Sequence, residues 1–191
     1  MLYIKTHRWI IAKGAAILSS FALLSPLASA DITCLGERTP AQQQIAEQLD
    51  SFERTAALTR SELDSYAAAA RNGNLHLRTH ANRLDYAKEN VNLLGKQMSE
   101  LESLNTQGTV LQQAVIREAR PHLELLVDHV QDAIVMLNEG GRGYRSQDFR
   151  ETVNGMYEQA DRLYTKVDTF TDFEKACNRA IDVVAASKTD T

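Results

Sequence analysis

Four side chains in this sequence have the chemistry of a ligand set: His80, His129, Met136 and Met156. Haem iron accepts histidine with methionine or a second histidine, and neutral imidazole suits zinc or copper. His80 falls about six residues into one helical segment and His129 about nine from the end of the next. In antiparallel neighbours their levels would then differ by only about 5 Å. Met136 and Met156 belong to the same half. Bundles build cofactor sites from facing helices in this way, so one reading is a small haem- or metal-binding bundle. The plainer reading is stronger. A seam histidine usually packs with one nitrogen hydrogen-bonded, His129 sits beside the apolar stripe of its segment, and both methionines fit core positions.

The supporting motifs are missing. No Cys-x-x-Cys-His stands ready for covalent haem. His76 and His80 are spaced four apart, but Leu77 occupies the place where the zinc-protease helix needs Glu. Glu118 and His122 are also four apart, whereas di-iron bundles use three. No Gly-x-Ser-x-Gly elbow offers a nucleophile. Gly140-Gly141-Arg142-Gly143 lacks the Lys-Ser/Thr of a phosphate loop. The expectation is therefore a protein that is not an enzyme and needs no cofactor. Arg142, Tyr144 and Arg145 in the same connection are the residues best suited to recognising a partner, since arginine and tyrosine are favoured at interfaces.

The elements that position these residues are four segments with helical periodicity. They cover 39–71, 75–104, 109–138 and 146–186, within a bundle spanning 39–186. Thr39 can cap the first, with Pro40 at the first helical position, and Asn72-Gly73 stops it. Ile45, Leu49, Phe52, Ala56, Thr59, Leu63, Tyr66 and Ala70 form a heptad seam. Leu77, His80, Leu84, Ala87, Val91, Leu94, Met98 and Leu101 repeat it, with Gly95 beside the seam as a point of close approach. In the third segment, Pro121 predicts a kink, which either opens a pocket between the second and third helices facing His80 or merely curves the helix around the core. The fourth holds one register from Phe149 to Val184, broken only by Glu174. Residues 187–191 read as a frayed tail. Amphipathic helices joined by short turns predict an all-α, up-down-up-down antiparallel four-helix bundle. The likeness is to periplasmic four-helix bundles, and a likeness of fold implies no activity.

Residues 1–30 read as a cleaved secretory signal peptide: Lys5 and Arg8 precede the apolar run 14–24, and Ala28-Ser29-Ala30 precedes Asp31. Export makes the two cysteines a natural pair, Cys34 in an extended segment 31–38 and Cys177 on the fourth helix. Up-down-up-down topology puts them at the same end. Their bond would enclose about 142 residues and stabilise by roughly 5 kcal/mol on the chain-entropy account. Removing the three cations of the signal from the chain's −4 leaves about −7. That charge argues against nucleic acid and against anionic membrane surfaces after cleavage. The sequence thus predicts a periplasmic or secreted, non-enzymatic bundle that binds a protein partner or associates with itself.

Overall fold

Two of the helices begin with the same device. Thr39 Oγ1 accepts from the Gln42 amide at 3.3 Å, and the Gln42 side chain accepts from the Thr39 amide at 3.0 Å. Thr109 and Gln112 repeat this at 3.1 and 3.0 Å. These are capping boxes, which satisfy two orphan amides reciprocally. They open α1 (Pro40–Arg71) and α3 (Val110–Asn138). Between them lies α2 (Leu77–Leu104), and α4 (Gln147–Thr189) closes the order, with Ser146 Oγ accepting from the Phe149 amide at 3.0 Å. The computed structural model describes residues 38–73, 75–139 and 143–189.

The heptad stripes meet in one core. Ile45, Leu49, Phe52, Leu84, Val91, Leu94, Leu126, Val130, Val153, Met156 and Leu163 are all buried within it. Each helix packs on its chain neighbours, and α4 returns to α1, so the four form a ring. Glu62 pairs with Arg83, and Ser51 with Gln97, so α1 and α2 run antiparallel. The four-helix bundle expected from periodicity is therefore present. Among the described residues no helix is long and apolar enough to cross a membrane.

Several local expectations need correcting. Thr39 and Ser146 cap α1 and α4 as expected, Thr109 likewise stands just outside α3, and α2 starts at Leu77 rather than at residue 75. The tail expected to fray from residue 187 continues as helix to Thr189. Asn72 keeps a right-handed φ of −72°, and Gly73 alone takes the left-handed turn at φ 67°. Gly95 has nothing within 4 Å of where a Cβ would stand, so no neighbour approaches there. Close approaches lie instead at Gly155 on α4, against the His129 ring, and at Gly143, against the Met136 carbonyl. α3 runs unbroken through Pro121, which lies on its exposed face. Residues 1–30, Cys34 and Arg142 lie outside the described residues.

Candidate functional site

The end of the bundle where α2 and α4 begin carries an aromatic cluster around His80. His80 is the core residue of the first turn of α2 and is 4 % exposed. Its Nδ1 is hydrogen-bonded to the Tyr66 hydroxyl at 2.9 Å. Its ring lies 5.7 Å from Tyr66, 5.5 Å from Tyr144 and 5.1 Å edge-on from Phe149. Burial pushes the imidazole below its ordinary value of 6.5, because a low-dielectric site disfavours the cation. His76 stands at the N-cap position of α2, outside the helix, makes no side-chain cap and is exposed, so it does not share a ligand face with His80.

His129 is elsewhere. It is half-buried in the α3/α4 seam, where a Cβ on Gly155 would come within 2.9 Å of its Cε1 and Nε2. His122, one heptad earlier on α3, donates from Nδ1 to Gln159 Oε1 at 3.0 Å. Met136 lies on the same seam, its sulfur 3.9 Å from Thr152 Oγ1. Met156 is fully buried core. The four ligand candidates thus face different partners: His80 meets α1 and the start of α4, while His129 and Met136 meet α4 on its other side. Among the described residues no group of three His, Cys, Asp or Glu side chains is arranged to hold a metal.

Tyr144 and Arg145 separate in the same way. Tyr144 is half-buried against His80 and packs on the core. Arg145 is exposed, its guanidinium 5.3 Å over the Tyr144 ring.

The opposite end holds the constellation that sequence reasoning did not assemble. Glu174, the charged break in the apolar register of α4, is 8 % exposed. Arg38 Nη2 reaches its Oε1 at 3.1 Å, and Asn178 Oδ1 on the next turn at 3.4 Å. Gln112 is fully buried. Its Nε2 donates to the Gln42 carbonyl at 3.0 Å and to Glu174 Oε1 at 3.4 Å. One glutamine therefore ties α1, α3 and α4. Burial raises the Glu174 carboxyl above its ordinary 4.5, with the Arg38 charge pulling the other way. The signal was present as Thr-x-x-Gln at residues 109–112 and as a lone acid on an apolar seam. Nothing in the spacing says that the two meet.

A shallow cleft of about 10 Å³, lined by Thr59, Glu62, Leu63, Tyr66, Arg83, Tyr86, Ala87 and Asn90, lies between α1 and α2. That is the lower limit for one water, and it is on the other side of α2 from the expected pocket. No protein-family model, curated protein or solved structure matches the chain.

Proposed function

We propose that the protein is an exported, non-enzymatic bundle that works by binding a protein partner or a second copy of itself. In this reading residues 1–30 are removed on export and Cys34 is joined to Cys177. One observation carries the binding role. Leu58, Tyr86 and Leu93 are 67 %, 63 % and 47 % exposed. Leu58 shares a helix face with Ser51 and Glu62, the α1 residues that bridge to α2. Tyr86 and Leu93 flank Asn90 on the edge of α2 that bears Arg83 and Gln97, the partners of those bridges. The antiparallel pairing sets Leu58 at a level between the other two. Three accessible apolar side chains therefore converge along one interhelical seam, whereas scattered single ones need no explanation. Three side chains with catalytic potential, by contrast, are engaged in structural pairs: His80 with Tyr66, His122 with Gln159 and Asp161 with Arg60.

Support for the disulfide comes from Arg38. It sits four residues after Cys34 and contacts Glu174 and Asn178, which flank half-buried Cys177. A four-residue stretch reaches about 13 Å when extended, long enough to run from Arg38 to the turn of α4 that bears Cys177.

Sedimentation of the purified protein over a concentration series, with cross-linking in the exported fraction, tests the binding role. A Leu58→Glu/Tyr86→Glu variant should lose the association that the unaltered protein shows. A variant indistinguishable from it removes the reading, as does any saturable turnover. Intact mass should give a chain beginning near Asp31, without Trp9. Non-reducing peptide mapping should link Cys34 to Cys177 within one chain, and two free thiols or a linked dimer would refute that bond.

A further inference from the structure

We propose that the Arg38–Glu174 pair is an acid-released latch fastening the segment that enters α1 onto α4. The geometry is that of a single charged anchor. Glu174 occupies a seam position, and the Arg38 side chain is only 14 % exposed while reaching it. α4 packs on α1 and α3, so the groups facing Glu174 come from those elements and from α4 itself. They are Arg38, immediately before α1, Asp50 on α1, Lys175 on α4 and the uncharged Gln112 on α3. Asp50 repels the carboxylate. Lys175 is shared with Asp50 and Glu53, at 3.8 and 3.7 Å. Arg38 is therefore the cation committed to Glu174. Once the carboxyl takes a proton, Arg38 loses its ion pair and is left with a neutral acceptor on Glu174 and the 3.4 Å contact to Asn178. The Gln112 amide still has the Gln42 carbonyl and stays in place.

The latch and the bundle respond to acid in opposite directions. The buried carboxyl binds its proton more readily in the folded protein than in the unfolded chain. Protonation therefore stabilises the bundle, and this contribution is lost as pH rises through the folded value. The same protonation removes the charge that holds Arg38. Ordinary acid unfolding would loosen both together.

The Arg38–Thr39 peptide bond is a trypsin site, and it reports the latch directly. Glu174→Gln keeps the shape of the side chain and removes its charge. At neutral pH, cleavage after Arg38 should rise about tenfold or more, the scale of a hydrogen bond to a charged group, while the thermal midpoint rises. The product is read after reduction as a chain beginning at Thr39, so the result does not depend on a Cys34–Cys177 bond. In the unaltered protein, amide protection at Thr39 and Gln42, corrected for intrinsic exchange, should fall between neutral pH and pH about 4. Unchanged cleavage in Glu174→Gln overturns the latch. Faster cleavage with a lowered midpoint also overturns it, because that is general loosening of the fold.

Discussion

Among the described residues, one end of the bundle buries a histidine and the other a glutamate, and the two are treated differently. At one end His80 is enclosed by Tyr66, Tyr144 and Phe149, and its single hydrogen bond goes to an uncharged hydroxyl. At the other, Glu174 is met by a guanidinium and an amide. Burial drives both groups towards their neutral forms, and that means opposite things for a base and an acid. The imidazole must give up a proton to be buried, and the carboxyl must take one. The aromatic end is therefore weakened by acid and the polar end strengthened by it. The first is held by packing. The second is held by a charge that the bundle pays to bury, and so it is the end that can open without the core failing.

The sharpest separation of the two should come from truncating each. Phe149 is fully buried and packs edge-on against His80, so Phe149→Ala should cost about 3–5 kcal/mol by chemical denaturation. Replacing the ion pair as a whole, Arg38→Met with Glu174→Leu, should move the other way, gaining about 1 kcal/mol or more, as buried pairs replaced by apolar groups often do. If that double variant destabilised as much as Phe149→Ala, the polar end would be a packing site like the first, and the contrast would collapse.

A pH series tests the signs. The folded pKa of His80 is lowered, so its contribution is present above 6.5 and is lost as pH falls through the folded value. The folded pKa of Glu174 is raised, so its contribution is present below 4.5 and is lost as pH rises through the folded value. The two slopes oppose each other in the unaltered protein. Glu174→Gln should leave a stability that rises with pH towards 6.5. His80→Gln, which keeps an acceptor for the Tyr66 hydroxyl, should leave one that falls as pH rises above 4.5. Parallel profiles for the two variants would show that neither group governs the response.

Much of this contrast was legible in the sequence, and its geometry was not. Heptad spacing located most buried positions, because the hydrophobic period of a helix follows from its own residues, but not those flanking the seams, such as Ala46, Ala67 and Ala81. His80 on a seam and Glu174 as a break in one were both visible. The partners were not, because they depend on how helices rotate and slide against each other. His129, adjacent to buried Val130, reads as level with His80 at one centre and instead turns to α4. Gly95 and Gly155 make the point most simply. Both are mid-helix glycines beside an apolar stripe, and only the second has a neighbour where its side chain would be.

That glycine yields the smallest effect and the finest test. Between the two ends, the α3/α4 seam accommodates His129 by omitting a side chain rather than by supplying a partner. Alanine in place of a mid-helix glycine should stabilise α4 by about 1 kcal/mol through backbone entropy. In Gly155→Ala, however, the new Cβ would stand 2.9 Å from His129 Cε1 and Nε2, inside contact distance. The ring must swing out and lose its packing, which offsets the helical gain. With His129→Ala the space is empty and the gain should appear in full. A double-mutant cycle should therefore show coupling of about 0.5–1 kcal/mol between the two positions. Additive effects would mean that the ring moves aside freely. The seam would then hold its histidine as loosely as a surface does, and only the ends of the bundle would impose conditions on their titratable groups.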